Sequence, residues 1–171
     1  MNRSKLEKQF ADHIIKNNER YYRLAYSYVK NVDDALDIVQ ESICKGMSSL
    51  DSLRNPAYFR TWFYKIVIHT ALDFLRQRNK TVLMEEEVLI NSNCGTCDTY
   101  QNIDLGRALD SLPAKYRTII ILRYFEDLKI EDVAEILDEN VNTVKTRLYT
   151  ALRKLSIEMV DHDERGRICH E

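Results

Sequence analysis

In IEDVAEILDENVNTVKTRLYTALRKL, Ile130 to Leu155, apolar side chains fall at Ile130, Val133, Ala134 and Leu137. After a polar turn from Asp138 to Val141 they resume at Val144, Leu148, Ala151, Leu152 and Leu155. Gaps of three and four place each set on one face, so the stretch predicts two short amphipathic helices around a tight turn. Asn142 or Thr143 is placed to cap the second. At about 100° per residue its other face carries Asn142, Thr146, Tyr149, Thr150 and Arg153, flanked by Lys145 and Arg147. Amide, hydroxyl and phenol groups can meet base edges, while Lys145, Arg147, Arg153 and Lys154 can hold phosphates. A helix-turn-helix that reads DNA has this pattern; so has an ordinary helical pair with a solvated basic face.

The rest of the chain bears on that choice. Its 171 residues suffice for one ordinary domain or two small ones, and only four Gly and two Pro interrupt helix. There is no apolar run of about 18 residues to span a bilayer and no secretory signal in MNRSKLEKQF, so a soluble, cytoplasmic protein is expected. A net charge of −2 argues against gripping DNA through the overall field. The charges are segregated, however: Arg54, Arg60, Lys65, Arg76, Arg78 and Lys80 face only Asp73, and 142–155 carries bases without acids. Two basic patches on an acidic chain suit weak DNA binding with a larger partner supplying the rest.

Before that stretch, Phe10, Ile14, Tyr21, Leu24, Ala25 and Tyr28 keep helical spacing up to a break near Asn31 to Asp33. Asp33 or Asp34 can cap a second helix, whose buried side is Ala35, Ile38, Val39 and Ile43 and which runs to about Leu50. Asp37, Gln40 and Glu41, at i, i+3 and i+4, project together from its other side. Asn55-Pro56 starts a long helix to about Arg78, because proline at the first position lacks only an amide hydrogen that would be unpaired anyway. Its buried line is Phe59, Phe63, Ile66, Thr70 and Phe74, widened by Trp62, Val67, Ala71 and Leu75. Tyr58, Phe59, Trp62, Phe63 and Tyr64 among Arg54, Arg60 and Lys65 also form an aromatic and basic cluster able to stack on unpaired bases.

Residues 81–100, an acidic run and then a Ser, Asn, Gly and Cys patch, read as a linker. Beyond it Leu105, Ala108, Leu109 and Leu112 make a short helix. Pro113 opens the next, through Tyr116, Ile119, Ile120, Arg123 and Tyr124. The fold expected is all-α: two small helical domains, 1–80 and 101–160, joined by a flexible linker over 81–100, with a polar tail over 161–171.

Taken together, DALDIVQESICKGMSSLDSL (Asp34 to Leu53), PAYFRTWFYKIVIHTALDFLRQRNK (Pro56 to Lys80) and LDSLPAKYRTIIILRYFEDLKIEDVAEILDENVNTVKTRLYTALRKL (Leu109 to Leu155) resemble three segments of one family. These are the core-binding helix, the minus-ten segment and the minus-thirty-five domain of bacterial sigma factors of the extracytoplasmic-function (ECF) group. Three motifs in order are a specific signal. The resemblance implies a non-enzymatic factor that binds core RNA polymerase and promoter DNA, needs no cofactor, metal or small-molecule substrate, and is held by a membrane-associated anti-sigma factor. By position it implies polymerase binding by Asp37, Gln40 and Glu41. Minus-ten contacts fall to Arg54, Asn55, Tyr58, Arg60, Trp62, Lys65, His69 and Arg76, with a promoter base captured in the loop Ser52 to Ala57. Minus-thirty-five contacts fall to Asn142, Thr143, Lys145, Thr146, Arg147, Tyr149, Thr150 and Arg153, Arg147 holding phosphate or bracing the fold.

Some residues depart from the family pattern. His69 stands where Asn is usual, Leu36 where an acid is usual, and Asp138 and Asn142 where Gly is frequent around the turn. Cys94-Gly-Thr-Cys97, with Cys169-His170, has the spacing of a redox or zinc site but lies in the expected linker without a βαβ context, so reduced thiols are the alternative. No Gly-rich phosphate loop or Ser, His and acid constellation suggests catalysis. The rival is a stand-alone helix-turn-helix regulator, which would bind duplex as a dimer without polymerase.

Overall fold

A computed structural model describes residues 3–53, 55–84 and 103–168, with side chains placed except at 79–84, 103–104 and 158–168. The described residues are helical and turn, without strand. The chain divides into two compact units, Met1–Gly95 and Thr96–Glu171.

The first unit packs three helices, α1 (Arg3–Val29), α2 (Val32–Ser49) and α3 (Phe59–Met84). Helix α1 stops where Lys30 turns left-handed, at φ 55°. Asn31 then takes an extended conformation and its side chain accepts from the Asp34 amide at 3.0 Å. The cap is therefore Asn31; Asp33 and Asp34 lie inside the first turn, where their charge complements the positive helix end. Asn55 likewise accepts from the Ala57 amide, and Pro56 opens a 3₁₀ turn, Pro56–Tyr58, that leads into α3. No Gly or Pro follows Arg78 closely, and α3 continues to Met84, into the segment expected as linker.

Aromatic rings fill the centre of this unit. Phe10, Tyr21, Phe63 and Tyr64 are fully buried. Tyr21 meets Phe63 edge-on at 4.6 Å and Tyr64 at 5.0 Å, and Phe10 meets Phe63 at 5.4 Å. On α3 the buried line is Phe59, Phe63, Tyr64, Val67, Ile68, Thr70 and Ala71; Ile66 and Phe74, expected on it, are half-buried. Two helices cover α3 from different sides, so its buried arc is wider than one stripe and shifted toward Tyr64 and Ile68.

Gly46 lets α2 approach these rings: a Cβ there would lie 2.7 Å from Phe10 Cζ and 3.2 Å from Phe63 Cε2. Alanine would gain about 1 kcal/mol of helix propensity. Forcing a methyl against rings that cannot move costs about 1–3 kcal/mol, and at 2.7 Å the upper part of that range applies. Gly46→Ala should therefore lower stability by about 1–2 kcal/mol in urea unfolding. Introduced into Phe10→Leu, the same change should be neutral or stabilising; equal cost in both backgrounds would refute the steric account.

The second unit is built from α4 (Ile103–Ser111), α5 (Ala114–Ile120), α6 (Ile130–Ile136) and α7 (Val141–Ile168). Leu109, Leu112, Ile120 and Ala151 form its core, with Leu105, Tyr116, Leu148 and Leu155 packed against it. Buried Arg117 ties the α4–α5 corner by donating to the carbonyls of Asp110 at 3.1 Å and Leu112 at 3.4 Å. Helix α5 loosens into a π-helical turn, Ile121–Phe125, and Asp127 reverses the chain at φ 48°.

Helix α6 ends with Asp138 at φ 53° and the Glu139 amide reaching back to the Ala134 carbonyl at 2.9 Å. This is the αL stop usually given to glycine, here carried by an aspartate. The α7 cap is Asn140, whose Oδ1 accepts from the Asn142 amide at 2.8 Å. Asn142 and Thr143, expected as caps, lie inside the first turn. Leu152, expected in the apolar stripe, is exposed, and α7 continues to Ile168, through most of the segment expected as a polar tail.

Candidate nucleic-acid and polymerase surfaces

On α7 the side turned away from the core carries Asn142, Lys145, Thr146, Tyr149 and Arg153, all exposed, with Thr143 and Thr150 half-exposed. Tyr149 is 78% exposed, an unusual position for a large ring that nothing in the fold requires to be outside. The Thr146 hydroxyl donates to the Asn142 carbonyl at 3.0 Å and that of Thr150 to the Thr146 carbonyl at 2.9 Å. Each hydroxyl proton is thereby engaged, leaving the oxygen as an acceptor and the methyl as an apolar contact.

Arg147 is placed differently: its Nη1 pairs with Glu139 Oε1 at 2.6 Å, both half-buried. It braces the turn from inside the helix. Lys115 and Lys154 both lie over the Tyr116 ring, at 5.0 and 5.9 Å. The acidic side chains of α6, Glu131 and Glu135, are exposed.

In the first unit α2 exposes Asp37, Gln40 and Glu41 together, with Glu41 paired to Lys45 at 2.8 Å. Val32, Leu36 and Met47, at 45%, 43% and 37% exposure, share this helix's outer side. Leu36 is therefore a surface residue, and the apolar strip escaped a reading that looked for apolar residues only in the core.

The aromatic and basic cluster is smaller than the sequence suggests. Phe59, Phe63 and Tyr64 belong to the core, leaving Tyr58, 58% exposed, and half-buried Trp62 as the rings able to meet a base. Trp62 also packs against Phe10 at 5.9 Å. Arg60 and Lys65 are half-buried, whereas His69 and Arg76 are exposed, Arg76 in a pair with Asp73 at 3.0 Å. Asn55 is exposed and occupied in capping. Arg54 lies outside the described residues, as do Cys94, Cys97 and Cys169.

Sequence reasoning passed over His13. Its Nε2 lies 2.7 Å from the Tyr21 hydroxyl, and its ring stacks on Phe59 at 5.7 Å. Burial pushes its pKa below the ordinary 6.5, helped by the charges of Arg60 and Lys16. The folded state thus binds this proton less readily than the unfolded chain. The associated stability is fully present above about pH 6.5 and is lost as pH falls from there through the lowered folded value. Urea midpoints at pH 7.5 and 5.5 should differ less in His13→Phe than in the parent. An unchanged difference would show that His13 does not carry this dependence.

A chain that pairs an exposed acidic helix with a separate helix-turn-helix, both within small helical units, has the make-up of a sigma factor. The comparisons agree. Residues 103–155 match the model of sigma-70 region 4, and residues 14–81 that of sigma-70 region 2. RNA polymerase sigma factor SigV of Bacillus subtilis is 54% identical over 150 residues, covering 88% of this chain and 90% of that protein. ECF RNA polymerase sigma factor SigW of the same organism is 30% identical, covering 85% and 87%. Among solved structures, the Bartonella quintana sigma factor RpoE, in complex with the anti-sigma factor NepR, superimposes with a TM-score of 0.76 at 25% identity, covering 89% of this chain and 97% of that one.

The chain belongs to the sigma-70 family of RNA polymerase sigma factors, in its extracytoplasmic-function group. It is accordingly a factor that binds core RNA polymerase and directs initiation at promoters, and the stand-alone regulator reading falls. Among the described residues no helix is long and apolar enough to cross a membrane, and no group of His, Cys, Asp and Glu is placed to hold a metal.

Proposed function

We propose the following division of labour. Residues 1–80 bind polymerase and open the minus-ten element, and residues 101–160 read the minus-thirty-five element. Asp37, Gln40 and Glu41 dock on core polymerase. Arg54, Asn55, Tyr58, Arg60, Trp62, Lys65, His69 and Arg76 hold the opened strand, Tyr58 and the accessible part of Trp62 receiving unstacked bases. Unstacking costs a few kcal/mol per base, and a surface that stacks one extruded base returns part of it, so recognition and opening are coupled.

In the second unit Lys145, Thr146, Tyr149 and Thr150 face the bases, with Asn142, Thr143 and Arg153 beside them. Arg147 acts through its brace on Glu139. Two weak DNA contacts joined through one polymerase raise each other's effective concentration, which accommodates a net charge of −2. The observation that carries the reading is the exposure of Lys145, Thr146, Tyr149 and Arg153 along one side of α7. An anti-sigma factor holds the protein in check, which the solved complex of the Bartonella relative supports, and we assign that factor to the membrane.

Run-off transcription with core polymerase on genomic fragments tests the assignment. Discrete new transcripts sharing upstream elements are expected; core binding without any transcript, in the absence of an inhibitor, would overturn it. Co-purification from native cells should recover the anti-sigma factor beside polymerase.

A further inference from the structure

The hydroxyl groups along one side of α7 share a single pose. Thr146 Oγ1 donates to the Asn142 carbonyl at 3.0 Å and Thr150 Oγ1 to the Thr146 carbonyl at 2.9 Å, each reaching back one turn. Thr118 makes the same bond to the Ala114 carbonyl at 2.8 Å, but it is buried, whereas Thr146 is exposed and Thr150 half-exposed. A threonine on a helix has two open χ1 wells, and this bond selects one of them. The methyl group is thereby aimed as firmly as the oxygen. A hydroxyl bonded back to the helix has no proton left to donate, so it cannot serve the N7 and O6 acceptors of guanine or the O4 of thymine. It keeps a lone pair, which suits the amine of adenine or cytosine, and a methyl group, which suits the 5-methyl of thymine. Of the base pairs, only A·T presents an amine and a methyl together in the major groove.

Resting on the assignment of this face to the minus-thirty-five element, we infer that Thr146 and Thr150 determine specificity for A·T pairs, each packing its methyl on the 5-methyl of a thymine while its oxygen accepts only from amines. Side chains at i and i+4 stand about 5–6 Å apart on a helix. Bases along one strand are stepped by about 3.4 Å, so the two methyl groups span about one to two base steps. The element read by this chain therefore holds two A·T pairs at that separation. Lys145 and Tyr149, on the same side of α7, carry hydrogen-bond donors. The face thus divides its labour: Lys145 and Tyr149 donate to base or phosphate acceptors, and Thr146 and Thr150 supply methyl contact and refuse guanine.

The test uses holoenzyme, the full-length protein with core polymerase, and a promoter obtained by run-off transcription. Every thymine of its minus-thirty-five element is replaced by deoxyuridine, which removes the 5-methyl groups and keeps the base pairing. Losing one buried methyl contact weakens binding about fourfold, and losing two on the order of tenfold. The parent should show that loss, and deoxyuridine outside the promoter elements should change nothing. Thr146→Ser with Thr150→Ser keeps the hydroxyls and drops the methyl groups. It should bind the thymine promoter about as weakly as the parent binds the deoxyuridine one, and should no longer distinguish the two. Thr146→Val with Thr150→Val keeps the methyl groups and should retain the parent's ratio. Thermal melts check that the second unit folds in each variant, and the comparison of promoters on the parent needs no variant. Equal binding of both promoters by the parent, or an element without A·T pairs, overturns the inference while the assignment of the face stands on Lys145 and Tyr149. A ratio retained by the serine variant also overturns it, because the thymine contact then lies elsewhere. If Lys145→Ala with Tyr149→Ala leaves use of the element intact, the assignment itself falls and the inference with it.

Discussion

Lys145→Ala combined with Tyr149→Ala should reduce transcription from a promoter carrying the minus-thirty-five element by about a hundredfold, with core polymerase binding unchanged. The magnitude follows from the contacts: a good base-edge contact contributes about 1–3 kcal/mol of discrimination, and two side chains are removed. Both are exposed, Tyr149 at 78%, so the fold loses little when they are cut back. The readout is run-off transcription beside a binding assay with core polymerase. On a promoter scrambled at the minus-thirty-five element the variant and parent should be equally poor. A variant equally reduced on both templates would mean a damaged second unit; full activity on the intact promoter would remove Lys145 and Tyr149 from recognition.

Phe10→Ala should cost about 3–5 kcal/mol in the unfolding of the first unit, the range for emptying a buried phenylalanine site. Phe10 is fully buried and touches the rings of Phe59, Trp62 and Phe63 as well as the space above Gly46. Rings packed on three sides cannot collapse into the void, so the cavity term stays large. Small domains are stable by about 5–15 kcal/mol, so this loss removes about a fifth of it at the least and nearly all of it in a marginal domain. Polymerase binding should fall with it at 37 °C and recover on cooling toward 15 °C, while the second unit keeps its own melting transition. A fall below 1 kcal/mol would show that the core repacks.

The helices and their order were legible because the chain spaces its apolar residues at three and four and rarely breaks with Gly or Pro. Which acid or amide caps a helix was less so. Asn31 and Asn140 each sit two residues before the candidates Asp33 and Asn142, and all are chemically able to accept an amide hydrogen. At α2 the choice depends on where the backbone becomes extended, which happens at Asn31, directly after the αL residue Lys30. The aromatic cluster on α3 divided in a way periodicity could not show, because α1 and α2 both press on that helix and draw in Tyr64 as well as Phe63. Of the candidate surfaces, the polar faces of α2 and α7 were visible as periodic patterns. The pairing of His13 with Tyr21, and the double role open to Arg147, depended on partners eight residues away along the chain.

The ion pair between Glu139 and Arg147 closes a ring across the turn, joining the residue before the Asn140 cap to the second turn of α7. The angle at which α7 leaves the turn is thus settled by groups that stand apart from its exposed side. Changes at Lys145, Thr146, Tyr149 or Thr150 can then accumulate over generations without first compromising the scaffold. A duplicated copy of such a chain is free to drift toward a different set of target genes while remaining a competent protein throughout.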